Sequence, residues 1–214
     1  MKGRRESRFD FMLTNEFKST ITFFMSMIAI ALFVMDPTRA RELCMCAILI
    51  STFADLVLMD YKRIPNLLFG QKKLYVGMML FGITHVVYML CFSNIMLESG
   101  SELHTTASYL AFILFGIIFA FSLIFSAFMV YKKSMRFCVA VIIYVILICF
   151  DLASIYLCSA VVGGKYYLAA IGITMFWISD MLILIRETKK DTSLIRKLIW
   201  VFYPIGQMLI VLSI

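Results

Sequence analysis

The sequence predicts an all-α fold, a polytopic bundle of about seven transmembrane helices with a cytoplasmic N-terminus. Three observations predict it. Of the 214 residues, 63% are hydrophobic and the mean hydropathy is +0.96, against about 45–50% apolar residues in a soluble domain. Only 15% are charged, and these gather in short clusters between long apolar runs. The runs approach the ~20 residues that a helix needs to cross hydrocarbon. A transmembrane barrel would instead show ~10-residue alternating segments, and there are none.

Seven spans follow in order, in one domain covering 1–214: 19–35, 42–59, 74–94, 107–131, 137–159, 166–185 and 198–214. The first follows a basic start and so has the outline of a signal peptide. The stretch MDPTRA offers no small-x-small cleavage site, so an uncleaved helix is expected. The second is short and carries Ser51 and Asp55. The third carries His85 and Tyr88, and the fourth, YLAFILFGIIFAFSLIFSAFMVY, is the plainest. The fifth carries Tyr144 and Asp151. The sixth contains FWISDMLILI, with Asp180 in its middle. The seventh carries Tyr203 and Gln207, with Pro204 expected to kink it and free a carbonyl.

Seven spans and a cytoplasmic N-terminus put 17 Lys/Arg in inner segments and 3 in outer ones. That asymmetry obeys the positive-inside rule, and one span more or fewer in the middle would scramble it. The net charge of +7 is thereby assigned to basic loops at a membrane, not to nucleic-acid binding. The partner is the lipid bilayer of an integral, multi-pass protein: the endoplasmic reticulum in a eukaryote, the inner membrane in a bacterium. Six scattered cysteines without CxxC and only two histidines argue against a zinc site. No metal and no cofactor is expected, and the cysteines read as buried thiols. His104 reads as a solvated outer-loop residue, and Trp177, Tyr166 and Tyr167 as packing or interface-belt residues.

A carboxylate at membrane depth costs about 2.5–3.5 kcal/mol even on lenient insertion scales. Asp180 has no Lys or Arg within five residues on either side. At 1.5 Å per residue, Asp55 and Asp180 fall ~6 and ~8 Å from the cytoplasmic ends of their helices. Tyr203, Tyr144, Gln207 and His85 follow at ~8, ~11, ~14 and ~17 Å, and Asp151 at ~21 Å. Tyr203 and Gln207 are i, i+4 neighbours and His85 and Tyr88 are i, i+3 neighbours, so each pair shares a helix face. Most of these groups can line one cavity toward the cytoplasmic leaflet. The competing readings are structural. Either aspartate can be an interfacial residue reaching water, His85 a packing residue, and Tyr203 and Gln207 interhelical glue. Asp151 reads as structural or as a partner to another side chain.

Four stretches resemble the YhhN-like lysoplasmalogenase family, in order and over nearly the whole chain. LISTFADLVLMD (49–60) is similar to its S-x-x-G-D-x-x-L. GMMLFGITHVVYMLCF (77–92) is similar to its G-x-x-x-F-x-x-x-H-x-x-Y helix. AAIGITMFWISDMLILI (169–185) is similar to its G-x-x-x-F-x-x-S-D, and YPIGQMLIVLSI (203–214) to its closing Y-x-x-x-Q-x-L-I. FKSTITFFM (17–25) resembles the family's K-P segment. Ala54 stands where the family has glycine, Ser19 where it has proline, and seven spans stand where it usually has eight. The resemblance implies hydrolysis of the vinyl ether bond of lysoplasmalogens to a fatty aldehyde and a glycerophospho-ethanolamine or -choline. It also implies Asp55 and Asp180 as catalytic residues, without a metal.

The chemistry suits that assignment. Vinyl ether hydrolysis begins with protonation of the β-carbon, and an oxocarbenium-like cation follows. An apolar setting and a neighbouring carboxylate both favour a protonated acid. An ionised partner can then stabilise the cation or activate water, as glycosidase carboxylates do. Asp180, among apolar residues, is expected as the acid, and Asp55, near Ser51, as the ionised partner. Ser51, His85, Tyr88, Tyr144, Tyr203 and Gln207 are expected in support. Lys62 or Lys189 would attract the lipid phosphate. From the residues alone, a small transporter or receptor-like protein stays open, as does an inactive relative of the family. No inverted repeat favours the transporter, and no lysine after Lys197 allows a retinal Schiff base.

Overall fold

The computed structural model describes residues 14–59, 68–100, 105–189 and 191–214. Lys62, His104 and the basic stretch before residue 14 lie outside them. Among the described residues there are seven α-helices and no strand. They are α1 (Asn15–Met35), α2 (Arg39–Leu58), α3 (Lys73–Ser99), α4 (Thr106–Val130), α5 (Met135–Val162), α6 (Tyr166–Thr188) and α7 (Ser193–Leu212). A single 3-10 turn, Gly70–Lys72, leads into α3. Each helix matches one expected span.

The ends differ from expectation by a turn or so, and the reason is local. Hydropathy ends a span at the first polar residues, whereas the backbone goes on until a cap stops it. Thr14, Thr38, Thr105, Ser134 and Thr192 are N-caps, each accepting a bond from the amide three residues on. The polar turns Thr14–Lys18 and Thr192–Lys197 are therefore helical or capping although no lipid scale would include them. At its far end α3 runs on through Ser99 and stops at Gly100, whose φ of 60° takes the left-handed conformation.

Six of the seven helices are long and apolar enough to cross a membrane, and α2 is the exception. It has the length, 20 residues, but its composition is diluted by Arg39, Arg41, Glu42, Ser51, Thr52 and Asp55. The last three are buried, while Phe53 on the same helix is 55% exposed. The same combination of an apolar outer surface and buried polar groups recurs in the other helices, within a core that also holds apolar side chains such as Phe92, Ile148 and Phe176. Phe24, Ile117 and Phe128 are 63%, 63% and 59% exposed, whereas Thr84, His85, Asp151, Ser179 and Gln207 are fully buried. Apolar groups outside and polar groups inside is the arrangement that lipid, not water, selects. The chain is an integral, multi-pass membrane protein.

The packing is antiparallel between chain neighbours: α1 on α2, α2 on α3, α4 on α5, α5 on α6, and α6 on α7. Further contacts close the bundle: α3 on α5 and α1 on α7, with smaller ones of α4 on α6 and α2 on α7. A close approach brings α6 and α7 together, where Gly172 and Gly206 meet backbone to backbone. A Cβ on either would lie 2.6 Å from the other's carbonyl oxygen. Helices associate in membranes through such small-residue contacts. Here the crossing holds Phe176 and Asp180 of α6 beside Tyr203 of α7. Trp177 ties α6 to α4 through its Nε1, which donates to Ser122 Oγ at 3.0 Å, so it is a packing residue.

Candidate functional site

The polar side chains expected in the membrane fall into two hydrogen-bonded chains, each ending on an aspartate. The first ends on Asp55. Tyr203 donates to Asp55 Oδ2 at 2.7 Å, and its hydroxyl lies 2.7 Å from Ser51 Oγ. The one Tyr203 proton is used on Asp55, so Ser51 donates to Tyr203. Ser51 in turn accepts from Gln207 Nε2 at 3.2 Å, and Tyr88 donates to Gln207 Oε1 at 2.5 Å. That last distance suits O–H···O and is too short for N–H···O, which fixes the amide orientation. The polarity of the whole chain is then set: every proton points toward Asp55. An amide cannot pass a proton along as a hydroxyl can, so this chain favours a carboxylate at its end.

The second chain ends on Asp180. Tyr144 donates to Asp180 Oδ2 at 2.6 Å, and its hydroxyl lies 3.3 Å from His85 Nε2. His85 Nδ1 meets Asp151 Oδ2 at 2.8 Å. His85 Nε2 is itself 4.0 Å from Asp180 Oδ2. So the i, i+3 neighbours His85 and Tyr88 serve different aspartates. Asp151 also enters, through His85, although it lies about 16 residues, ~24 Å, into α5. Asp180 lies deeper than its apolar run suggested. The helix continues to Thr188, three residues past the expected end, which adds ~4.5 Å.

An aromatic wall separates the chains. Phe176 packs on His85 at 5.0 Å and on Tyr203 at 5.3 Å between ring centroids, and Phe81 contacts both Phe176 and Tyr203. In front of it, Asp55 and Asp180 line one cavity of about 210 Å³, together with Phe81, Tyr203, Trp200, Lys18 and Arg186. That is room for several waters at ~30 Å³ each. Leu58, Leu74, Phe81, Asp180 and Ile183 are shared with an adjoining apolar cleft, which continues along Met78, Phe137, Val141, Val145, Met181 and Leu184. The two spaces therefore meet at Asp180 and Phe81.

All eight expected residues belong to this arrangement. Two cations were missed. Lys18 lies on the first turns of α1, with its Nζ 5.1 Å from the Trp200 ring centroid. Arg186 lies at the end of α6 and gives its Nε and Nη2 to Glu187 Oε1 at 3.0 and 2.7 Å. They line the cavity, where Lys62 or Lys189 is the expectation from the sequence. Lys189 instead lies over Phe128 of α4 at 5.2 Å and is not among the cavity residues. Neither cation had a signal of its own, since a basic residue at a helix end reads as a topology charge. Pro204 follows Tyr203 inside α7, where its missing amide leaves the carbonyl of Trp200 without its helical donor.

No curated protein and no solved structure matches the chain significantly. The sequence profile of the YhhN family matches residues 17–214, nearly the whole chain and every element of the site. The chain belongs to the YhhN family, which is the lysoplasmalogenase family and is associated with hydrolase activity.

Proposed function

We propose that the protein is a lysoplasmalogenase, which hydrolyses the vinyl ether bond of a lysophospholipid with Asp180 as general acid and Asp55 as its ionised partner. The observation that carries this reading is the shared cavity of the two aspartates, with cations at its polar part and an apolar cleft leading away from Asp180. A single-chain amphiphile with an anionic head group has the same sequence of parts. Its phosphate would lie beside Lys18 and Arg186, the first carbons of its alkenyl chain would enter the cleft, and its ether linkage would fall between the aspartates.

The cycle balances without a metal. Asp180 gives its proton to the β-carbon, and the C=C bond becomes an oxocarbenium ion. Asp55, kept ionised by its fixed donor chain, faces that cation. Water attacks the cationic carbon and loses a proton to Asp55. In the collapse of the hemiacetal, Asp55 protonates the leaving glycerol oxygen while Asp180 takes the hemiacetal hydroxyl proton. A fatty aldehyde leaves, and both carboxyl groups return to their starting states.

The test is aldehyde release from lysoplasmenyl-ethanolamine by purified protein in detergent, beside Asp55→Asn and Asp180→Asn at equal folded yield. General acid–base catalysis typically contributes 10²–10⁴-fold, so each variant is expected to lose at least about 10²-fold. A folded parent that releases no aldehyde from a panel of vinyl ether lysolipids overturns the reading.

A further inference from the structure

Asp180 is only the front of a longer array. Behind it, Tyr144, His85 and Asp151 continue a line of short contacts into the middle of the bundle, and none of the three is needed to write the cycle above. His85 and Asp151 are fully buried. Burying two more ionisable groups at membrane depth has a cost that packing alone does not explain.

The protons in this array can be counted. Asp151 Oδ1 has no hydrogen-bond partner, so His85 is what offsets the charge of Asp151. That holds a proton on His85 Nδ1 and leaves Nε2 as the atom that can change state. Tyr144 has one hydroxyl proton and two neighbours that compete for it, His85 Nε2 at 3.3 Å and Asp180 Oδ2 at 2.6 Å. When Tyr144 donates to an ionised Asp180, Nε2 must donate to Tyr144, and His85 is an imidazolium. When Asp180 is protonated, it donates to Tyr144, which donates to a bare Nε2, and His85 is neutral. Both arrangements use the same contacts and hold the same number of protons.

We infer that Asp151, His85 and Tyr144 form a proton relay that loads Asp180. One proton is held in common: Nε2–H passes to the Tyr144 oxygen while the Tyr144 proton passes to Asp180 Oδ2. Imidazolium and carboxylate become imidazole and carboxylic acid, with no net proton gained or lost. The contrast with the Asp55 chain supports this role. There the Gln207 amide fixes the polarity, whereas here both links between His85 Nε2 and Asp180 can reverse. The array thus gives the two aspartates different roles, one supplied with a proton and one kept without. The relay's contribution to turnover rests on the hydrolase reading. Its existence as a shared proton does not.

Two measurements separate those claims. In the first, Tyr144→Phe removes one hydroxyl and keeps the ring. It is expected to lower kcat about 10–100-fold with KM within about 2-fold, and Asp151→Asn is expected to do the same. The double variant should be no slower than the slower single, because both act through one path. An unchanged kcat for Tyr144→Phe, or losses that multiply, overturns the relay in catalysis. In the second, the chain has two histidines, so ¹⁵N-histidine labelling in a His104→Gln background leaves only His85 to be read by NMR. Asp180→Asn is expected to shift the His85 imidazole nitrogens, and Tyr144→Phe to abolish that response. A His85 signal indifferent to Asp180→Asn, or one that responds without the Tyr144 hydroxyl, overturns the shared proton. A parent that releases no aldehyde but passes the NMR test would sink the hydrolase reading alone.

Discussion

Lys18 and Arg186 come from opposite ends of the chain and place positive charge beside the same carboxylates. Lys18 is also within electrostatic range of Arg196, Asp55 and Asp191. A charge-assisted bond to a phosphate contributes about 1.5–3 kcal/mol, and 1.4 kcal/mol is about tenfold in affinity. Lys18→Met is therefore expected to raise KM for lysoplasmenyl-ethanolamine by about tenfold or more. The same substitution should leave KM for 1-alkenylglycerol, which has no phosphate, within about 2-fold. Equal losses on both substrates, read by aldehyde release, would remove Lys18 from head-group recognition. The two aspartates were legible because a carboxylate in an apolar run has no inexpensive explanation. His85, Tyr144 and Gln207 were legible for the same reason. Lys18 and Arg186 were not, because a cation where a helix leaves hydrocarbon is what the topology rule already predicts. The pairing of His85 with Asp180, and of Tyr88 with Asp55, depends on helix rotation, which spacing along one helix does not set.

Among the elements, α6 and α7 set the site's geometry because they can come closer than side chains usually allow. A Cβ on Gly206 would meet Gly172 O at 2.6 Å and Phe176 N at 3.0 Å. Both are backbone atoms, so a whole helix must move. Tyr203 lies one turn before Gly206, and its hydroxyl has to reach both Ser51 and Asp55. Overpacking of this kind costs about 1–3 kcal/mol. Gly206→Ala is expected to lower stability by about that amount and to lower aldehyde release further than the loss of folded protein explains. Gly116 in α4 is the control, since a Cβ there meets nothing within 4 Å; Gly116→Ala should leave both unchanged or raise stability slightly. Thermal unfolding in detergent beside activity decides it, and equal behaviour of the two variants would rule out the crossing as the site's support. The helices themselves were readable from apolar length, and even α2 announced its place. It reads as the least apolar span because it gives Ser51, Thr52 and Asp55 to the interior. Its flanking charges are tied at the other end, where Arg41 pairs with Asp36 at 2.9 Å and Arg39 with Glu42 at 2.7 Å.

At the scale of the whole molecule, the two ends of the bundle handle charge differently. The end holding the α1–α2, α3–α4 and α5–α6 connections has three cations in its sequence segments, and all three are engaged. Besides the pairs of Arg39 and Arg41, Lys165 donates from Nζ to Ile214 O at 2.8 Å. The sequence segments that join the helices at the opposite end hold the other 17 Lys/Arg, and the cavity lies toward that end, since Asn15, Lys18, Met59, Arg186 and Trp200 line it. Positive residues concentrate on the cytoplasmic side, so that end is expected at the inner leaflet. A lysolipid would then reach the aspartates from that leaflet, phosphate among the cations and chain in the cleft. Single cysteines test this, with the partly exposed Cys46 and Cys138 replaced by alanine. An impermeant maleimide on intact cells is expected to label Thr106→Cys at the start of α4, and to label Lys132→Cys after its end only once the membrane is opened. Both side chains are exposed, so labelling reports sidedness and not burial. The reverse pattern would invert the bundle, turn the cavity to the outer leaflet, and make the substrate a lipid drawn from outside the cell or from an organelle lumen. The hydrogen-bonded chains behind the aspartates would be unchanged by that inversion, because they depend only on which helices pack together.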